Sequence, residues 1–170
     1  ELKEGQRFEV SLNMGSIIRT MSNCLLEGAI FTVDYGYRTE QWSEPEHRDG
    51  SLRGYYEHQM VTNPLLHVGE MDLTTHIDLD FFQKVGESYE LHHVFTFNQG
   101  QFLLAAGILD FLQNNYDPNP FSETSKQNRA IRSLIMDSSL SNGFHVIVQQ
   151  KNKNIQWDNL LQMNEQNIKK

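Results

Sequence analysis

Cysteine is almost absent from this 170-residue chain, where Cys24 stands alone. One thiol cannot build an intramolecular disulfide framework or a multi-cysteine zinc site, and its isolation fits a reducing compartment. Proline occurs four times, and no apolar run approaches the roughly 18 residues of a membrane span. The opening ELKEGQRF has neither an initiating Met nor an apolar stretch, so no secretory signal is expected. Basic side chains are also scarce, 14 Lys and Arg against 22 Asp and Glu, for a net charge of −8. Residues 1–120 hold 7 basic and 18 acidic side chains, and residues 121–170 hold 7 and 4. An acidic body repels phosphate backbones, which argues against generic nucleic-acid binding and suits a cationic protein partner. Solubilising charge is the simpler reading of the composition alone. Among the seven histidines there is no H-x-x-x-H pair. His92 and His93, adjacent on an expected strand, face opposite ways, so no metal site is expected.

What is present is the patterning of one α/β domain, 38% hydrophobic and 21% charged. Arg7 to Val10 alternates like a short strand or lead-in. Met14, Ile17, Ile18, Met21, Leu25 and Leu26 recur at helical spacing, predicting a helix over 11–26 with Ser11 or Asn13 as cap and Gly28 as stop. Ala29 to Val33 is a nearly continuous apolar run, which predicts a strand buried on both faces, followed by a polar loop from Asp34 to Tyr37. Ligand crevices in open α/β sheets lie beyond the carboxyl ends of such strands, so Asp34 stands where chemistry is usually placed.

Four segments follow: 1–37, a helix and central strand; 38–87, a long polar and aromatic insertion over the strand ends; 88–151, closing strands and helices; and 152–170, a polar tail. Within the insertion, Leu73 to Phe82 is expected to open a helix capped by Asp72 or Thr74. Beyond it, Tyr89–Phe97 and Phe144–Val148 read as strands, and Gln101–Leu112 and Ser125–Leu140 as helices. Asp117–Pro120 and Asn142-Gly143 read as breakers, and Ile155, Trp157, Leu160 and Leu161 as a short terminal helix. Cys24, inside the first helix, is expected to be buried and inert.

Several ordered motifs carry a resemblance. They are Gly28-Ala29-Ile30 running to Val33-Asp34-Tyr35-Gly36-Tyr37; Arg48-Asp49-Gly50-Ser51-Leu52-Arg53-Gly54-Tyr55-Tyr56 followed by His58; Gly69-Glu70-Met71-Asp72-Leu73-Thr74-Thr75-His76-Ile77-Asp78; Gln99 to Leu103 with Gly107; and Gly143-Phe144 through Lys151. In this order the chain resembles the MidA-like family of class I S-adenosylmethionine-dependent methyltransferases, relatives of a mitochondrial complex I assembly-factor arginine methyltransferase. Ser51 stands where that family usually has Thr, Val68 where it has Pro, and Phe97-Asn98 where Thr-Thr is common. None of the eleven glycines forms a Gly-x-Gly pair, so the family's cofactor-gripping turn is absent from these residues. The resemblance therefore implies a C-terminal portion, strands five to seven of a Rossmann-like sheet with a substrate-side insertion. No cofactor-binding residue is expected in this chain, and S-adenosylmethionine would be bound by the full-length protein. The resemblance also implies a protein substrate, such as a respiratory complex subunit, and a cytoplasmic or mitochondrial-matrix location. Self-association or pairing with a separate N-terminal half is expected as well.

Methyl transfer to a guanidinium asks for an aligned nucleophile and for carboxylates or aromatic faces that orient it. Asp34 is the first candidate to orient the acceptor or take its proton, with a turn-capping role as the alternative. His58 and His76 are further candidate proton acceptors, set against plain structural hydrogen bonding. Tyr35 and Tyr37 are candidate walls of the acceptor pocket or packing residues. Gly36 is expected to supply a backbone conformation barred to other residues. Arg53 and Tyr55 are candidate substrate contacts, as are Asp72 and Thr74, whose simpler role is helix capping. A non-catalytic recognition module is the competing functional class.

Overall fold

A computed structural model describes residues 3–114, 119–136 and 143–161. The chain divides into two compact units, Glu1–Cys24 with Asp34–Glu90, and Leu25–Val33 with Leu91–Lys170.

In the first unit, helix α1 (Met14–Cys24) buries Met14, Ile18 and Ser22, one stripe at i, i+4 and i+8. That stripe packs on helix α3 (Leu79–Ser88), which buries Leu79, Phe82 and Gly86. The Ser22 hydroxyl donates to the Tyr89 carbonyl at 2.6 Å. The last residues of strand β1 (Gly28–Tyr37) pair in parallel with the short β5 (Ile77–Asp78), Gly36 against Ile77 and Tyr37 against Asp78. Helix α2 (Thr39–Trp42) and a 3-10 turn (Pro45–His47) follow β1. Strands β2 (Arg53–Tyr56), β3 (Gln59–Val61) and β4 (Asp72–Thr74) form an antiparallel sheet in the order β3-β2-β4. Glu57 and His58, with φ of 48° and 63°, make the left-handed two-residue turn that matches hairpin twist.

In the second unit, β6 (His92–Asn98) and β7 (Phe144–Lys151) are antiparallel, and β7 lies between β6 and β1. Phe95, Phe97, Ala105, Val146, Val148 and Leu161 form its core. Phe31 and Phe95 each meet the Trp157 ring of helix α6 (Trp157–Leu160) edge-on. Helix α4 (Gln99–Ala105) starts with a reciprocal cap between Asn98 and Gln101. Helix α5 (Glu123–Ile135) starts at Ser122, whose hydroxyl accepts from the Ser125 N–H.

The α/β expectation holds at this level, with parallel and antiparallel pairing both present. Several details are corrected. Asp34 to Tyr37 is strand, not loop, because Gly36 and Tyr37 join the ladder to β5. The strand is not buried on both faces, since Phe31 and Val33 are 50% and 57% exposed. Asp72 and Thr74 lie in β4, held by pairing with β2, and cap no helix; Asp78 caps α3 by accepting from the Phe81 N–H. The Gln101–Leu112 helix breaks at Gly107, whose φ of 81° ends α4 before a 3-10 turn at Ile108–Phe111. Cys24 is exposed, as the last residue of α1. Asp117, Pro118, residues 137–140, Asn142 and the tail from 162 lie outside the described residues. No helix among the described residues is long and apolar enough to cross a membrane.

Two outcomes follow from the packing of the first unit. A Cβ on Gly36 would sit 2.4 Å from the Leu79 Cδ2 and 3.0 Å from the Ile77 carbonyl oxygen. Gly36→Ala is therefore expected to destabilise by about 1–3 kcal/mol in urea denaturation, the usual range for an overpacked site. Asp80 accepts from the Arg38 guanidinium at 2.7 Å and from the Thr39 N–H at 2.8 Å, tying α3 to the start of α2. Burial opposes the Asp80 charge, but the Thr39 N–H and the Arg38 guanidinium outweigh it and hold its carboxyl below the ordinary value. Its contribution is complete above the ordinary aspartate pKa of about 3.9 and fades as pH falls through the lower folded value. Asp80→Asn should lower urea stability at pH 7, and the gap to wild type should close on acidification below that range.

Candidate active site

Side chains alternate along a strand, so Tyr35 and Tyr37 share one face of β1 while Asp34 and Gly36 share the other. On the tyrosine face, the Tyr37 ring stacks on His76 with centroids 4.3 Å apart and planes 5° apart. Tyr35 meets the same imidazole at 5.5 Å. Trp42, 1% exposed, closes on Tyr37 edge-on at 5.2 Å, and His47 lies 4.1 Å from it. Burial pushes the Tyr37 phenol up, and the nearby Arg53 charge pulls it part of the way back. Tyr37 is thus a neutral phenol at physiological pH, able to donate its proton in a hydrogen bond while its ring is packed by His76, His47 and Trp42. Arg53 Nη1 donates to the carbonyls of Gly50 at 3.2 Å and Leu52 at 2.8 Å, so this arginine braces the loop that precedes its own strand.

On the opposite face, Asp34 Oδ1 accepts from the Tyr35 N–H at 2.8 Å, the local contact of the capping alternative. Gly36 is needed there for room and not for backbone conformation. It is not among the glycines with positive φ, and the Leu79 side chain occupies the space of its missing Cβ.

A network that the sequence did not disclose fixes the backbone beside His76. The Glu9 carboxylate accepts from the Ser51 N–H at 2.8 Å and from the Ser51 hydroxyl at 3.1 Å. The Ser51 oxygen accepts from the His76 N–H at 2.9 Å and lies 2.9 Å from the Thr75 hydroxyl. Glu9 and His76 also line a cavity of about 250 Å³ with Phe8, Val10, Met14 and Phe81. The one local signal for Glu9 was its place in the alternating Arg7–Val10 patch, and nothing there names a partner 42 residues away.

A second hollow, of about 660 Å³, is lined by Tyr55, Glu57, His58, Glu70 and Asp72, together with Gly69 and Met71. The sheet register sets Tyr55 between Met60 on β3 and Asp72 on β4. Among the described residues, three carboxylates line this hollow and no Lys or Arg does, which favours a negative potential there. The candidate residues therefore fall into groups. Tyr35, Tyr37 and His76 meet directly, with Arg53 beside Tyr37. Tyr55, His58 and Asp72 share the second hollow. Asp34 and Gly36 take the other face of β1, and Thr74 sits opposite Arg53 in the β2–β4 ladder.

Comparisons with known proteins place this chain in a family. The family described as "Putative S-adenosyl-L-methionine-dependent methyltransferase" matches residues 1–97. A solved structure of an uncharacterized COG1565 superfamily protein from Burkholderia thailandensis superposes with a TM-score of 0.83 at 25% identity, over 93% of this chain and 42% of its own. A second COG1565 superfamily structure from that organism, bound to S-adenosyl-homocysteine, superposes with a TM-score of 0.80 at 25% identity, over 91% of this chain and 40% of its own. The chain thus spans about two-fifths of the length of the solved structures it matches. No curated protein matches. With its family match covering more than half of its residues, the chain belongs to the S-adenosyl-L-methionine-dependent methyltransferase family.

Proposed function

We propose that this chain forms the acceptor side of a MidA-like methyltransferase that methylates arginine in a protein substrate. The observation that carries the reading is the Tyr35–Tyr37–His76 cluster at the end of β1, where a class I sheet presents its crevice. The placement of β7 between β1 and β6 supports reading these as strands five, seven and six of that sheet. S-adenosyl-homocysteine, seen with one solved relative, is what the donor becomes once its methyl has left.

S-adenosylmethionine, when bound, supplies the methyl group. These residues hold no Gly-x-Gly turn, which supports reading the donor's grip as lying outside them. What these residues offer is handling of the acceptor. The Tyr35 ring attracts a guanidinium, and His76, stacked on Tyr37, takes the proton that the methylated nitrogen releases. The hollow with Glu57, Glu70 and Asp72 suits neighbouring basic side chains of the substrate. The exposed apolar side chains of Phe31 and Val33 on β1 favour association with a further polypeptide, either a second copy or an N-terminal portion. The same acidic hollow is what favours the second reading, a recognition module that binds a cationic protein without any donor.

Calorimetry and transfer of radiolabelled methyl separate the two. The 170-residue chain alone should show no micromolar binding of S-adenosylmethionine. The same chain extended by the coding sequence upstream of Glu1 should bind the donor and label arginine in a protein acceptor. His76→Ala and Tyr37→Ala should each lower that transfer at least tenfold. An extended protein that binds an arginine-rich peptide but neither binds the donor nor transfers a methyl would establish the recognition module instead.

A further inference from the structure

The Arg7–Asp49 bridge, with the Arg7 N–H donating to the Arg48 carbonyl at 2.9 Å, lays the N-terminal segment along the loop at 48–50. This brings the Glu9 carboxylate over Gly50. A Cβ on Gly50 would lie 2.1 Å from Glu9 Oε1, and the φ of 71° there also favours glycine. Glu9 Oε2 then takes both the N–H and the hydroxyl proton of Ser51, at 2.8 and 3.1 Å. A serine hydroxyl has one proton and two lone pairs. With the proton committed to an acceptor-only carboxylate, the Ser51 oxygen can only accept from its other neighbours. Those neighbours are the His76 N–H at 2.9 Å and the Thr75 hydroxyl at 2.9 Å, which must therefore be the donor. On the far side of His76, Ile77 and Asp78 are fixed by pairing with β1. The imidazole lies flat on Tyr37 between these two restraints.

We propose that Glu9 is a positioning residue for His76, setting the polarity of the Ser51 hydroxyl so that it holds the Thr75–His76 backbone and keeps the imidazole on Tyr37. The proposal rests on the reading above only in giving that imidazole a task at the acceptor side; the clamp itself is a property of the folded chain. An uncharged side chain at position 9 with an acceptor oxygen still receives the Ser51 proton, whereas an aliphatic one frees it to compete with the His76 N–H.

The test is NMR of the 170-residue chain with isotope-labelled histidine, the His76 and His67 ring signals being assigned by His76→Gln and His67→Gln. Both rings stack on a tyrosine, His76 on Tyr37 and His67 on Tyr56 at 3.9 Å, so both carry ring-current shifts and His67 is an internal control. Glu9→Ala and Ser51→Ala should move the His76 signals toward those of an unstacked histidine and leave His67 in place. Glu9→Gln should keep His76 near its wild-type position. The proposal is overturned if His76 does not move in Glu9→Ala, or if Glu9→Gln behaves as Glu9→Ala. Loss of the His67 shift together with that of His76 also overturns it, because Glu9 would then hold the whole unit and not the imidazole. In the upstream-extended protein, Glu9→Ala should lower kcat with an unchanged KM for the donor. Unimpaired transfer by His76→Ala there would remove the acceptor-side role of His76 while leaving the NMR result standing.

Discussion

The short parallel contact between β1 and β5 is the constraint on which the candidate site depends. Only Gly36 with Ile77 and Tyr37 with Asp78 are paired, yet these pairs join segments about forty residues apart. Closing a connection of that length costs entropy that grows only slowly with its size, so a small number of well-placed contacts can hold it. Leu79 contributes by filling the space that Gly36 leaves open. The stack of His76 on Tyr37 follows from this register, because a slip of one residue would turn Tyr37 to the other face.

Regular structure was legible where local pattern and tertiary packing agree. The β-branched and aromatic runs at His92–Asn98 and Phe144–Lys151 are strands because their inward side chains, Phe95, Phe97, Val146 and Val148, share one core. The pattern misleads where the deciding partner is distant. The sequence offers Asp72 and Thr74 as caps, and the structure uses Asp78. Pairing with β2 claims the first two for β4 and leaves Asp78 to start α3. Asp34-Tyr35-Gly36-Tyr37 looks like a turn because polar and glycine residues cluster in it, but its two tyrosines occupy one strand face and find aromatic partners there.

The candidate site was legible as residues and not as an arrangement. The motifs named Tyr35, Tyr37 and His76, and the structure brings these three into contact. His58 was named beside them, yet it lies in the β2–β3 turn among Glu57, Glu70 and Asp72. Glu9 could not be singled out at all. Its role depends on a loop 42 residues away, on the room above Gly50 and on a serine whose hydroxyl has one proton to give.

The acidic balance gains meaning from this separation. At the tyrosine face a cation, Arg53, acts on Tyr37, and its Nη1 donates to the Gly50 and Leu52 carbonyls. At the second hollow the charge is carboxylate. A guanidinium drawn toward this unit is favoured by the second hollow through Coulomb attraction and by the tyrosine face through its π-surface. The first is long-ranged and screened by salt, and the second acts only on contact. Under the proposed function, a basic protein segment would therefore be gathered by Glu57, Glu70 and Asp72 and discriminated at Tyr35, Tyr37 and His76. That division matches their placement on different elements, the acidic residues on and around the β2–β4 sheet and the tyrosines at the end of β1.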